Sequence, residues 1–252
     1  MSVLSGRVVV VSGAGQGLGR AYAHRIAADG GTVVLADINE ENGEKVAVEI
    51  GGTGATARFV RLDVGDPESC ASFAETVIRE FGAVHGLVNN AAIFSTIQMR
   101  PFWEIPVEEW DRLMAVNLRG PWLLTRALLP ALRAAGGASV VNVASDAVWL
   151  GRAGYLHYVA SKAGVAGMTH SMAHELGDDE IRVNSISPGP TYTEVPRGTV
   201  SPEQKKAMQN AQALHRDAAP EDMVGVVAFL LSDDSRFVTG QTVHVSGGLL
   251  HR

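Results

Sequence analysis

Short unbroken apolar runs alternate along this chain with longer stretches in which apolar positions recur every three or four residues. The runs fall at 8–11, 32–36, 57–61, 86–88, 139–143, 181–186 and 242–245, and valine and isoleucine dominate them. Such runs fit strands buried on both faces. The helical rhythm predicts helices near 17–29, 40–50, 67–81, 107–117, 121–135, 155–176 and 220–231. Strand and helix alternating in this way describe a parallel sheet covered on both faces. No repeat, low-complexity stretch or long linker divides the chain, so one domain is expected over 1–252. Ser201-Pro202-Glu203-Gln204 reads as an N-cap, a proline at the first helical position and a capping-box glutamine, so a short helix should begin there. The surrounding segment, 191–216, adds no core strand. Taken alone it reads as an ordinary surface excursion.

Composition sets bounds on partners. A chain of 252 residues with 46% hydrophobic content can bury one substantial core. The net charge of −6, with no basic cluster, argues against a nucleic-acid partner. Cys70 is the single cysteine, so no intramolecular disulfide can form, and its place after Asp66-Pro67-Glu68 reads as inert helix packing. The first residues lack the pattern of a secretory signal, and no run approaches a membrane span. A cytoplasmic protein with no membrane partner is expected.

The most informative chemistry is Tyr158 and Lys162, an i,i+4 pair on one predicted helix, thirteen positions after Ser145. An unperturbed tyrosine titrates near about 10, which disfavours its phenolate at neutral pH by roughly 4 kcal/mol. A cation about 4 Å away returns on the order of 4 kcal/mol at an effective dielectric near 20. Lys162 can therefore bring Tyr158 toward the range a general base needs, with desolvation opposing it. The plain alternative is an amphipathic helix with an exposed lysine and a half-buried tyrosine.

Val8-Val9-Val10-Val11 leads directly into Ser12-Gly13-Ala14-Gly15-Gln16-Gly17-Leu18-Gly19 and then a helix. Strand, glycine turn and helix N-terminus together suit a pyrophosphate. The spacing is G-x-x-x-G-x-G at Gly13, Gly17 and Gly19, not the strict G-x-G-x-x-G, and glycine turns also arise for structural reasons alone. Asp37 ends the second apolar run, about twenty residues on, where a carboxylate can accept bonds from an adenosine ribose and would repel a 2′-phosphate. Neither Gln16 nor Ile38 brings a cation, so NAD is favoured over NADP. Asp37 could also cap the helix beginning near Asn39-Glu40.

With Asn89-Asn90-Ala91-Ala92, Asn117 and Pro188-Gly189 added in this order, the chain resembles the short-chain dehydrogenase/reductase family from Gly6 to Gly248. The resemblance implies a single-domain, Rossmann-type, doubly wound α/β sheet of about seven strands, with the 191–216 segment as a mobile lid over the substrate. It implies Tyr158 as the acid/base and Lys162 as the group that binds the nicotinamide ribose and lowers the Tyr158 pKa. Ser145 would hold the reacting oxygen, and Asn117 would help hold a proton-relay water. Cofactor contacts would come from Gly13, Gln16, Gly17, Leu18 and Gly19 in the turn, and from Asp37 and Ile38 after it. Asp63-Val64 would meet the adenine, Asn90 and Ala91 would flank the cofactor, and Pro188, Gly189, Thr191 and Thr193 would cover the carboxamide. Ser12, Ala92 and Ser246 depart from the family's usual threonine, glycine and aspartate. The ending Gly248-Leu249-Leu250-His251-Arg252 resembles members whose tails reach a neighbouring subunit, which implies a homotetramer.

Phe94, Val148, Trp149, Leu150, Tyr155, Pro190 and Tyr192 are expected to face the reacting carbon, with Met99, Phe102 and Trp103 nearer the entrance or in packing. This bulky apolar set suits a hydrophobic ketone or secondary alcohol. His157 should point away from Tyr158 into packing. His170 and His174 have a metal-ligand spacing but no third ligand, so no metal is expected. The expected activity is NAD-dependent interconversion of a secondary alcohol and a ketone. A 3-oxoacyl thioester reductase, a sugar or polyol dehydrogenase, and a non-catalytic nucleotide-binding regulator are the alternatives.

Overall fold

The computed structural model describes residues 2–196 and 200–250. Seven parallel strands form one sheet: β1 (Val8–Ser12), β2 (Thr32–Asp37), β3 (Ala57–Arg61), β4 (Gly86–Asn89), β5 (Ala138–Val143), β6 (Ile181–Pro188) and β7 (Thr242–Val245). Their spatial order is β3-β2-β1-β4-β5-β6-β7. The order reverses between β1 and β4, and in open α/β sheets a ligand crevice opens at the carboxyl ends of the strands there.

Helices α1 (Gly17–Ala28), α2 (Glu40–Gly51) and α8 (Glu221–Leu231) cover one face, burying Tyr22, Ile26, Ile50 and Leu230 against β1 and β2. On the other face α3 (Pro67–Phe81), α5 (Gly120–Ala134) and α6 (Leu156–Glu175) bury Phe73, Val77, Leu124, Leu128 and Leu132. α4 (Val107–Met114) leads into α5, and α7 (Pro202–Ala211) lies in the excursion after β6. Local chemistry sets several starts. Asp66 caps α3 by accepting from the Glu68 N–H, with Pro67 in the first turn. Ser201 and Gln204 form the reciprocal capping box at α7.

The predicted strands all form, within one residue at their ends except β6, which continues two residues further, to Pro188. One helical boundary differs. Helices at 107–117 and 121–135 were expected as separate elements, but Ala115–Arg119 is a π-helical turn that joins α4 to α5 without a break. Among the described residues no helix is long and apolar enough to cross a membrane. His251 and Arg252 of the expected tail lie outside the described residues.

Candidate active site

A cavity of about 880 Å³ runs along the carboxyl ends of the strands. Asp37, Ile38, Asp63 and Val64 line one end, the glycine turn and Asn90 the middle, and Ser145, Tyr158 and Lys162 the other end.

The middle is built from backbone contacts. The Ser12 hydroxyl donates to the Val88 carbonyl at 3.3 Å and accepts from the Asn90 and Ala91 N–H groups at 3.0 and 3.1 Å. Serine thus meets three backbone groups at the position where threonine was the usual residue. The Asn90 amide returns two bonds, to the Ser12 and Gly13 carbonyls at 3.0 and 3.1 Å. Gly13 has φ 65°, and a Cβ there would lie 2.8 Å from the Ala91 Cα. Gly19 is demanded by packing, because its Cβ would run into the Gly13 carbonyl. Gly19 itself is not part of the cavity wall, whereas Gly13, Gln16, Gly17, Leu18, Asn90 and Ala91 are.

Asp37 accepts from the Gly15 N–H at 2.8 Å and from the Asn39 N–H at 2.9 Å. It does not cap α2. That is done by Asn39, whose side chain accepts from the Asn42 N–H at 3.0 Å. Asp37 instead braces the glycine turn and still faces the cleft. Asp63 holds its own turn by accepting from the Gly65 N–H. Cys70 packs beside it, near the Asp63 and Val64 carbonyls, and burial pushes its thiol up to about 11.

At the catalytic end, the Lys162 Nζ lies 5.9 Å from the centre of the Tyr158 ring and donates to the Val143 carbonyl at 2.7 Å. Both residues are buried, Lys162 at 3% exposure and Tyr158 at 7%. The exposed lysine of the alternative helix reading is therefore not what forms. Burial lowers the Lys162 ammonium from its ordinary value to about 8, so it is still mainly charged at neutral pH. The Ser145 hydroxyl accepts from the Ala147 N–H at 3.3 Å and borders the cavity.

Asn117, implied to help hold a proton-relay water, lies in the π-helical turn between α4 and α5. It is fully buried in the π-helical turn and absent from the cavity wall. Its Oδ1 accepts from the Ile93 N–H at 2.7 Å, and its Nδ2 donates to the Ile93 carbonyl at 3.0 Å. The side chain is thus committed to holding the strand exit beside Ala91 and Phe94. A π-turn displaces one residue from helical register, and such turns recur at functional sites.

Pro188, Gly189, Thr191 and Thr193 all border the cavity. Of the 191–216 segment expected as a lid, residues 197–199 lie outside the described residues; Thr191 bridges to Ala218, and Val195, Pro196, Val200 and Met208 border the cleft. Of the expected substrate residues, Phe94, Leu150, Tyr155, Pro190 and Tyr192 face the cavity. Val148 and Trp149 do not. The Trp149 ring stands edge-on to His244 at 4.5 Å, because the turn after β5 directs it toward β7. Met99, Phe102 and Trp103 are exposed and do not form part of the cavity wall.

His157 is fully buried and bonds Glu109 at 3.0 Å, whereas His170 and His174 are exposed. Among the described residues no group of three or more His, Cys, Asp or Glu side chains gathers to hold a metal. Sequence reasoning missed a buried cluster behind Ser145. Asp146 accepts from the Ser187 hydroxyl at 2.6 Å and pairs with His244 at 2.7 Å, tying the catalytic turn to β6 and β7.

A dinucleotide fits these residues. Gly17 borders the cleft, and its N–H at the start of α1 already meets a carboxylate, Glu194, at 2.9 Å. That is the kind of anion contact a pyrophosphate makes at a helix N-terminus.

The family model described as enoyl-(acyl carrier protein) reductase matches residues 13–250. An uncharacterised oxidoreductase of Mycobacterium tuberculosis is 39% identical over 98% of each chain. Cyclohexanol dehydrogenase of Acinetobacter sp. is 37% identical over 96% of this chain and 94% of the relative. The solved structure of a putative NAD(P)-dependent gluconate 5-dehydrogenase from Beutenbergia cavernae, with NADP bound at low occupancy, superposes with a TM-score of 0.91. It shares 35% identity and covers 98% of this chain and 97% of that one. Taken with the seven-stranded parallel sheet and a cleft joining a glycine turn to Ser145, Tyr158 and Lys162, these matches establish the chain as a member of the short-chain dehydrogenase/reductase family of oxidoreductases.

Proposed function

We propose that the protein is an NAD-dependent oxidoreductase that interconverts a hydrophobic secondary alcohol and its ketone. The observation that carries this reading is the buried Tyr158–Lys162 pair at one end of a cleft whose far end holds Asp37. When bound, the nicotinamide supplies the hydride acceptor. In the oxidative direction the Ser145 hydroxyl holds the substrate oxygen, and Tyr158 takes the hydroxyl proton while the carbinol hydrogen leaves as hydride. The Lys162 ammonium stabilises the phenolate that Tyr158 uses as base. The segment over the cleft limits water around the reacting carbon, and Phe94, Leu150 and Tyr155 give that carbon an apolar setting. The cyclohexanol dehydrogenase relative supports an alicyclic alcohol as the first compound to try.

Asp37 supports NAD over NADP. Its carboxylate borders the cleft, and the nearby cation, Arg61, is paired with Glu40 at 3.2 Å. The test is initial-rate oxidation of cyclohexanol with each coenzyme. NAD should be preferred by kcat/KM, and Asp37→Ala should shrink that preference by roughly tenfold, the worth of about 1.4 kcal/mol. A wild-type enzyme that prefers NADP would contradict the assignment of Asp37. Failure to oxidise any secondary alcohol in a panel of aromatic, alicyclic, sugar and steroid compounds would contradict the reaction class.

A further inference from the structure

We propose that Arg152 binds a carboxylate on the substrate, so that the compound turned over is a hydroxy or oxo acid with an apolar body. This rests on the alcohol–ketone reading above and adds to it the charge of the substrate. Arg152 is half-buried and forms part of the cavity wall beside Leu150 and Tyr155. Its guanidinium lies 6.0 Å from the centre of the Tyr155 ring, and Tyr155 stands edge-on to Tyr158 with 5.8 Å between ring centres. The cation is therefore one ring removed from the proposed proton acceptor.

Among the described arginines that are not exposed, Arg152 is set apart by having neither a carboxylate nor a backbone carbonyl as a partner, and Arg112, which also borders the cavity, is exposed. Eight other arginines pair with a carboxylate: Arg7, Arg20, Arg25, Arg58, Arg61, Arg100, Arg133 and Arg216. The more buried Arg182 donates to the backbone carbonyls of Leu230, Ser232 and Val238. Among the described residues the Arg152 side chain has only the Met208 thioether, at 3.7 Å, as an acceptor. A thioether is a weak acceptor, and a guanidinium carries five donors arranged to meet a carboxylate in two parallel bonds.

The surroundings strengthen the case. Leu150, Tyr155, Val200 and Met208 make this end of the cavity apolar, where a cation without an anion loses hydration and gains little. The acidic side chains of the same cavity are placed elsewhere. Asp37, Asp63 and Asp66 border the nucleotide end, and Asp146 is engaged by Ser187 and His244. A substrate carboxylate is the group that would complete the Arg152 donor set, with an apolar ring or short chain reaching from it to Tyr158. Lys162 cannot take that role, since it is committed to the Val143 carbonyl and the Tyr158 ring.

The test uses cyclohexanecarboxylate, which has no hydroxyl to react, and its methyl ester as the neutral comparator. Binding of each to the NADH-saturated protein is measured by calorimetry for wild type, Arg152→Met and Arg152→Lys. The acid should bind wild type roughly tenfold or more tightly than the ester, a margin that charge-assisted bidentate bonds supply. R152M should abolish that margin, and R152K should restore part of it. In turnover, the ratio of kcat/KM for 4-hydroxycyclohexanecarboxylate over cyclohexanol should fall by a similar factor in R152M. NADH binding by both variants confirms that they are folded. Equal binding of acid and ester by wild type, or an acid preference that survives in R152M, would overturn the proposal. Because the binding experiment needs no turnover, it decides the role of Arg152 even if the alcohol–ketone reading fails.

Discussion

The two halves of the sheet are built from different materials. In β1 and β2 the buried positions are almost all aliphatic, with Val9, Val10, Val11, Val33, Val34 and Leu35 fully enclosed. In β4, β5 and β6 the buried set includes Asn89, Ser139, Asn142, Asn184, Ser185 and Ser187. Two of these polar groups, Asn89 and Asn142, are linked to each other. The Asn89 amide donates to Asn142 at 2.8 Å and to Thr125 at 3.0 Å, and the Asn142 amide donates to Thr169 at 2.9 Å. They tie β4 and β5 to α5 and α6, the helix that carries Tyr158 and Lys162. Apolar burial is non-directional, whereas hydrogen bonds set a particular arrangement of the groups they join. The nucleotide half needs only a close backbone approach around the glycines, while the catalytic half has to hold a phenol, an ammonium and a hydroxyl in mutual register. The polar half is where such directional restraint has a use.

The largest effect should come from the charge on Lys162. The kcat/KM profile for alcohol oxidation should have an alkaline limb, with the rate falling as pH rises through about 8 and the buried ammonium loses its proton. Below that pH the group is charged and supports the phenolate; above it the support is lost. Lys162→Arg, which stays charged, should lower turnover through altered geometry yet remove the limb. An unchanged limb in that variant would assign the titration to another group.

A smaller effect separates the two halves by stability. Asn142→Leu leaves the Asn89 amide with one fewer acceptor and removes the donor to Thr169 from a fully buried site. Urea unfolding should show a loss of about 2–4 kcal/mol, from buried polar groups left without partners. Leu35→Ala in the apolar half should cost a similar 2–5 kcal/mol or so through its cavity. Kinetically the two should differ, with Asn142→Leu also lowering kcat because it disturbs the seating of α6. Equal kcat in both variants would mean that the polar network serves stability alone.

The same division explains what the sequence disclosed. Strands of the apolar half are continuous aliphatic runs, and those of the polar half still carry enough valine and isoleucine to be found. The spacing of Tyr158 and Lys162 is local to one helix, so their proximity could be foreseen, as could the glycine turn that follows β1 directly. Contacts between distant segments could not. Asp146 and His244 are 98 residues apart, and Arg152 meets Met208 across 56. Asn117 was legible as a residue of interest, but the π-turn that holds it leaves no mark in the hydrophobic rhythm. Asp37 was mistaken for a possible cap because it stands two residues before the true one, Asn39. Val148 and Trp149 were expected in the cleft because they follow Ser145, and the direction of the turn after β5 is set by its long-range partners.

The most direct test of the account is Tyr158→Phe, read in two ways. Removing one hydroxyl from the proton path should lower kcat by roughly 10²–10⁴-fold, the usual contribution of a positioned acid/base. NADH affinity, measured by fluorescence titration, should stay within about threefold, a difference under 1 kcal/mol. Turnover near the wild-type level, with coenzyme binding intact, would contradict the assignment of Tyr158 as the group that moves the proton.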